Sequence, residues 1–197
     1  MKPASQEPLL APPASASLQG DEPLAGISDV TVLDFWRFAM PDLRVNNTRG
    51  LFAEFLVHQA VGSRRPRVEW ASHDVETTDG LRIEVKTSAY LQAWEQRGPS
   101  AVRFSGLRAR TWSPLTGYSS TVSYNADVYV FAVQTAVEHA AYDPLDTAQW
   151  DFYVLPRREL ERRGVGSLGL KAVREAAGEP VSYSGLGIRI QEVTLHD

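Results

Sequence analysis

The chain has 197 residues, of which 43% are apolar and 22% are charged, the ordinary composition of one globular domain with a real core. It has no cysteine, so disulfide frameworks, cysteine zinc sites and cysteine nucleophiles are excluded. The formal net charge of −4 argues against a protein that coats nucleic acid through its overall charge.

No apolar run approaches the roughly 20 residues that a membrane span needs. Lys2 is not followed by an apolar run, so we expect no secretory signal and a cytoplasmic location. Residues 1–27 hold five of the twelve prolines, separated by alanine and serine. Such a segment buries too little apolar surface to offset its ordering entropy. The sequence therefore predicts a disordered tail over 1–27 and a single domain over 28–197.

Two helices are predicted at the start of this domain. The first covers 30–39, with Ser28 or Asp29 as its N-cap, and Pro41 ends it. The second covers 48–61 and ends at Gly62, a residue typical of helix C-termini. Its apolar stripe is predicted to consist of Leu51, Phe52, Phe55, Leu56 and Ala60.

Strand patterns follow the helices. Residues 67–77 and 81–90 flank Asp79-Gly80, a strong hairpin signal. The β-branched, apolar stretch at 126–136 predicts a buried central strand. Further strands are predicted at 101–106, 151–155 and 188–195, and helices at 157–163 and 169–177. This order predicts an α/β or α+β domain with a mixed central sheet.

The second strand of the hairpin carries Glu84 and Lys86. Side chains alternate along a strand, so these two lie on one face, while Ile83 and Val85 lie on the other and can face the core. The chain has only three lysines among its 20 basic residues. A lysine in this hairpin therefore suggests a need for a compact ammonium group. The alternative is a chance lysine on a solvated strand.

The residue that faces Glu84 depends on the turn. A two-residue Asp79-Gly80 loop would place Asp74 opposite Val85, on the wrong face. A three-residue loop, with Gly80 as a left-handed bulge glycine, places Asp74 directly opposite Glu84. Opposed carboxylates repel each other, and a divalent cation would reverse that effect. Hard oxygen ligands suit Mg²⁺, with Mn²⁺ as a substitute.

The helix with Glu54, followed by Asp74 and the Ile-Glu-Val-Lys run, resembles the PD-(D/E)XK (restriction endonuclease-like) nuclease superfamily. His73 stands where that pattern has proline. The wider chain is similar to an uncharacterised bacterial group regarded as restriction-endonuclease-like, in stretches that cover most of residues 29–156. The resemblance implies an αβββαβ core and metal-dependent hydrolysis of phosphodiester bonds.

The resemblance also implies a role for each matched residue. Asp74, Glu84 and the Val85 carbonyl would bind Mg²⁺, and Lys86 would orient the attacking water and stabilise developing charge. Glu54 would order a water or hold a second metal. The expected partner is nucleic acid, DNA rather than RNA, and cutting both strands of a duplex would favour a homodimer.

Three further residues are candidate substrate ligands. Gln92, just beyond the strand, could contact phosphate or water. Arg97 and Arg103 belong to a stretch, 97–110, with four arginines and no carboxylate. That stretch, and the three arginines in Arg64–Arg67, can face phosphates or be solvated surface. A module that keeps this fold without catalysis, and binds nucleic acid or protein, is the alternative function.

Overall fold

The computed structural model describes residue 10 and residues 16–195. The α-helices in this part of the chain are α1 Val32–Ala39, α2 Asn46–Ala60, α3 Arg157–Arg163, α4 Leu170–Ala177 and α5 Tyr183–Leu195. The strands are β1 Val75–Glu76, β2 Arg82–Ala89, β3 Arg103–Ser105, β4 Trp112–Ser113, β5 Gly117–Tyr118, β6 Val128–Gln134, β7 Trp150–Pro156 and β8 Ser167–Gly169. Of the described helices, none is both long enough and apolar enough to cross a membrane.

A mixed four-stranded sheet forms the centre, in the order β1-β2-β6-β7. Strands β2 and β6 are parallel, and the β1–β2 and β6–β7 pairs are antiparallel. Every residue of β6 is buried, as expected for an apolar strand with neighbours on both sides. The predictions of a mixed sheet and of a buried central strand near 126–136 are therefore confirmed.

Two apolar clusters cover the two faces of this sheet. On one face, Ile83 and Val85 of β2 pack with α2 and α5. On the other face, Tyr129 and Phe131 of β6 pack with β3, α3 and α4. The register pairs Glu84 with Tyr129 and Lys86 with Phe131. The polar side chains of β2 therefore lie on the second face, and the prediction that Ile83 and Val85 face a core is confirmed.

Helix ends differ from the predictions. Helix α1 begins at Val32, because Thr31 is its N-cap and donates hydrogen bonds from its N–H and its hydroxyl to Asp34 Oδ2; Ser28 and Asp29 precede it. Helix α2 begins at Asn46, two residues earlier than predicted, and its N-cap Val45 makes no side-chain capping bond. The positions of Pro41 and Gly62 just after the two helices are confirmed.

The predicted stripe of α2 is partly wrong. Phe55 is half exposed, whereas Ala53 and Val57 are fully buried. The side of α2 that contacts the sheet is rotated by part of a turn from the predicted stripe. As a result Ala53 and Val57 face the core, and Phe55 faces a cleft. Apolar residues surround this helix on several sides, so its sequence alone did not fix which of them face inward.

The prediction of an edge strand over 188–195 is wrong, because this segment belongs to helix α5. Leu186, Ile190 and Val193 are buried and stand four and three residues apart, which is the spacing of one helix face. Of the strand predicted over 67–77, only Val75–Glu76 pairs with β2. The strand predicted at 101–106 forms as β3, but it pairs with β8, outside the central sheet.

Part of the tail predicted over 1–27 falls on residues 1–9 and 11–15, which lie outside the described residues. Within the described part, Leu33 donates a hydrogen bond to the Gly20 carbonyl at 2.9 Å, and Val32 donates to the Glu22 carbonyl at 3.0 Å. Residues 20–22 therefore contact the start of α1.

Candidate active site

The hairpin turn sets the position of Asp74. Thr77 donates to the Leu81 carbonyl at 3.0 Å, Gly80 donates to the Thr77 carbonyl at 3.1 Å, and Gly80 has a φ of 89°. These bonds define a three-residue loop with a left-handed glycine, as predicted. The paired residues end at Val75, which lies opposite Ile83, and the Asp74 N–H donates to the Ile83 carbonyl at 3.1 Å. Asp74 is therefore the residue just before β1, beside the part of β2 that carries Glu84.

The edge of β2 is open beside Asp74. Because β1 has only two residues, the Val85 N–H on this edge has no strand partner among the described residues, and it donates instead to Asp74 Oδ2 at 2.7 Å. The N–H and C=O of one residue in an extended strand point to the same side. The Val85 carbonyl therefore faces the same edge as the Asp74 carboxylate.

Glu84 and Lys86 form a close ion pair on this part of β2. Lys86 Nζ lies 2.6 Å from Glu84 Oε1, and the two side chains are 23% and 15% exposed. Burial, together with the nearby Asp74 carboxylate, raises the pKa of Glu84 to about 7, although Lys86 opposes the shift. The Glu84 carboxyl therefore gives up its proton at a higher pH than an ordinary glutamate does.

Glu54 approaches from α2 and is paired with an arginine. Arg67 Nε donates to Glu54 Oε2 at 2.8 Å. Burial raises the pKa of Glu54, and Asp74 adds to this shift while Arg67 and Lys86 oppose it. Asp74 and Lys86 thus act on the pKa of both Glu54 and Glu84, so the structure brings the four residues predicted from the sequence into one region. Arg67 belongs to the basic run Arg64–Arg67, and nothing in that run predicts this ion pair.

The pKa of Glu84 leads to a test by stability. Since its pKa is about 7 in the folded chain and its ordinary value is 4.5, the folded state binds more protons than the unfolded state between these values. The Glu84 contribution to the free energy of unfolding therefore falls as pH rises from about 4.5 to about 7. We expect the free energy of unfolding to fall less between about pH 5 and about pH 8 in Glu84→Gln than in the wild type. Urea unfolding in the presence of EDTA measures this free energy at both pH values. Equal pH dependence in Glu84→Gln and in the exposed control Glu95→Gln would contradict this role.

The donor set fits a hard divalent cation. Asp74 and Glu84 supply carboxylate oxygens and Val85 a carbonyl oxygen, which are ligands that Mg²⁺ prefers. Within residues 16–195, no three histidine, aspartate or glutamate side chains are grouped closely enough to hold a metal ion. A cation here would therefore depend on the Val85 carbonyl and on water in addition to two carboxylates, and Mg²⁺ usually keeps several waters in proteins.

A cleft of about 600 Å³ opens beside the carboxylates. Leu51, Glu54 and Phe55 of α2 line one side, and residues 64–68 line the other. Asp74 also lines it, so the cleft gives solvent and a bound molecule access to this part of the site.

The predicted substrate ligands lie apart from this cleft. Gln92 is buried, and its amide is occupied: Oε1 accepts from Arg49 Nη2 at 3.2 Å, and Nε2 donates to the Ala89 carbonyl at 3.0 Å. Gln92 therefore lies inside the fold, with its amide group hydrogen-bonded to the protein. Arg97 is exposed, and Arg103 is exposed and donates to Ser167 Oγ at 2.8 Å.

No protein-family model matches the chain, and a search of curated proteins gives no significant match.

Proposed function

We propose that the protein is a Mg²⁺-dependent nuclease that hydrolyses phosphodiester bonds, in DNA rather than RNA. The observation that carries the proposal is the arrangement at the open edge of β2. There the Asp74 carboxylate accepts a hydrogen bond from the Val85 N–H at 2.7 Å, and Lys86 Nζ lies 2.6 Å from Glu84 Oε1. Mn²⁺ is expected to substitute for Mg²⁺.

In this proposal each side chain has a separate task. Asp74, Glu84 and the Val85 carbonyl hold the cation, which when bound supplies Lewis acidity toward the scissile phosphate and lowers the pKa of an attacking water. Lys86 stabilises the negative charge that builds on the phosphate oxygens as water adds to phosphorus and one P–O ester bond breaks. Glu54 accepts a hydrogen bond from the attacking water and so orients it.

We further propose that the core is restriction-endonuclease-like. The resemblance of the Glu54 helix and of the Asp74 and Glu84-Val85-Lys86 hairpin supports this, together with the order α2, β1, β2 and the parallel partner β6. One departure is present: residues 90–127, all of them described, contain short strands and turns but no α-helix, whereas the αβββαβ order has a helix before its last strand. A homodimer is proposed if both strands of a duplex are cut.

The test is cleavage of plasmid and of single-stranded DNA by the purified chain, with Mg²⁺, Mn²⁺ or EDTA. We expect cleavage that requires the metal and is lost in Asp74→Asn. The matched control is Asp79→Asn, because Asp79 lies in the same hairpin but in its exposed turn. If the wild type shows no cleavage, or if Asp74→Asn cleaves as well as Asp79→Asn, the proposed function is wrong.

One observation favours a second candidate, a nucleic-acid-binding or protein-interaction module without catalysis. In the described chain no group of three acidic or histidine side chains can hold a metal, and Glu54 and Glu84 are already paired with Arg67 and Lys86. Such a module would bind nucleic acid without Mg²⁺, and its binding would be unchanged in Asp74→Asn.

A further inference from the structure

The cleft beside Asp74 has the size of a small-molecule site. Its volume of about 600 Å³ lies within the range of ~300–1,000 Å³ typical of pockets that enclose one ligand. Glu54 and Asp74 belong to its lining, so a molecule that fills it touches the proposed reaction centre.

The arginines of the cleft differ in their availability. Arg65 Nη1 lies 2.9 Å from Glu76 Oε1, and Arg67 is held by Glu54. Arg64 is exposed on the cleft wall, and among the described residues it has no carboxylate within ion-pair distance. Its guanidinium is therefore available to a phosphate, which it can bind in a bidentate manner.

One exposed aromatic side chain lines this cleft, and a second lies close to it along the chain. Phe55 is part of the lining and is half exposed. Trp70 is 78% exposed, and it lies in the chain between Val68 and Ala71, which both line the cleft. An exposed tryptophan between two residues of the cleft lining provides a flat surface on which a base can stack.

We propose that this cleft binds a single strand of nucleic acid, with a base stacked on Trp70 or Phe55 and a phosphate on Arg64. In a duplex the base faces are covered by stacking and only the base edges are accessible in the grooves, so stacking on these side chains requires an unpaired base. The bound strand then leads past Glu54 and Asp74. The reaction that follows depends on the proposed function, but the binding does not.

The test is binding measured by fluorescence anisotropy, with a labelled oligo(dT) of about 12 nucleotides, a length within the range that single-strand sites cover. A duplex and a single-stranded RNA of the same length are the comparison ligands. EDTA blocks cleavage in one arm, and Ca²⁺ replaces Mg²⁺ in the other. Since the cleft also contains Glu54, Asp74 and Glu76, we expect tighter binding with Ca²⁺, which offsets their charge.

We expect the single strands to bind at least about tenfold more tightly than the duplex. Trp70→Ala should weaken single-strand binding at least about fivefold, because stacking of one base is lost. Arg64→Gln should weaken it and reduce the slope of log K against log salt by about 0.7. The matched controls are Trp94→Ala and Arg37→Gln, both exposed and outside the cleft, which should bind as the wild type does.

The outcomes separate this inference from the proposed function. Binding that depends on Trp70 and Arg64, without any cleavage, supports the single-strand cleft and contradicts the nuclease. Cleavage that depends on Asp74, with binding equal in Trp70→Ala and Trp94→Ala, overturns the single-strand cleft and leaves the nuclease intact. Duplex binding as tight as single-strand binding also overturns the inference. Binding of RNA as tight as DNA supports it, because base stacking does not distinguish the two.

Discussion

Lys86→Met is expected to lower the rate of Mg²⁺-dependent cleavage by about 10²–10³-fold, the usual effect of removing one group that stabilises transition-state charge. Methionine keeps an unbranched apolar stem of similar length, so packing against β6 is largely preserved. The change removes the ammonium group that lies 2.6 Å from Glu84 Oε1. Since Lys86 lowers the pKa of Glu84, that pKa rises further, and cation binding near neutral pH weakens as well.

Lys171→Met is the matched control for this variant. Lys171 is 93% exposed on α4, so its loss removes the same charge from the chain without touching the site. Single-turnover cleavage rates and Mn²⁺ affinity by calorimetry are measured for both variants and for the wild type. Equal cleavage rates in Lys86→Met and Lys171→Met would falsify the role of Lys86. Lys86→Arg should not restore the rate, because the larger planar guanidinium does not replace a compact ammonium.

Gly187→Ala is expected to destabilise the folded chain by about 3 kcal/mol, near the upper end of the effects of overpacking. A Cβ at position 187 would lie 2.3 Å from the Ala60 carbonyl oxygen, a distance that no side-chain adjustment can relieve because the obstacle is backbone. Helices α5 and α2 would have to separate there. Urea unfolding gives the free energy directly from the midpoint and the slope.

Gly185→Ala, on the same helix, is the control for the intrinsic effect of alanine. Its Cβ would meet only the Val181 Cβ at 3.9 Å, which is an ordinary contact. We expect this variant to be as stable as the wild type or up to about 1 kcal/mol more stable, because alanine favours helix over glycine. If both variants had the same stability, the close approach of α5 to the end of α2 would be wrong. Helix α2 carries Glu54, so a drop in cleavage is expected for Gly187→Ala as well.

Local chemistry explains which parts of the fold were predicted. The turn at Thr77–Leu81 depends on a glycine in the left-handed region, and this turn fixes the register in which Val75 lies opposite Ile83. The burial of β6 follows from an apolar, β-branched run that only a strand with covered faces can accommodate. Both features arise from residues within about ten positions of one another.

Local sequence patterns were insufficient where contacts with distant parts of the chain determine the structure of a segment or the burial of a residue. The last segment alternates at Ile188–Ile190, as a strand would, yet it is a helix, because Leu186, Ile190 and Val193 can be buried together only at helical spacing. Gln92 was named as a residue that could contact phosphate or water, and in the structure it is buried beside Arg49, which lies 43 positions earlier in the chain. The sequence carries no local signal for that contact.

By itself, then, the sequence determined the mixed α/β class, the buried central strand and the hairpin that carries Asp74, Glu84 and Lys86, because periodicity and turn chemistry act over short distances. The tertiary structure alone decided that Arg67 pairs with Glu54, that Phe55 faces a cleft and that the edge of β2 beside Val85 is left open. Those features depend on how α2 packs against the sheet and on the path of residues 64–74, which are contacts between segments that no local pattern specifies.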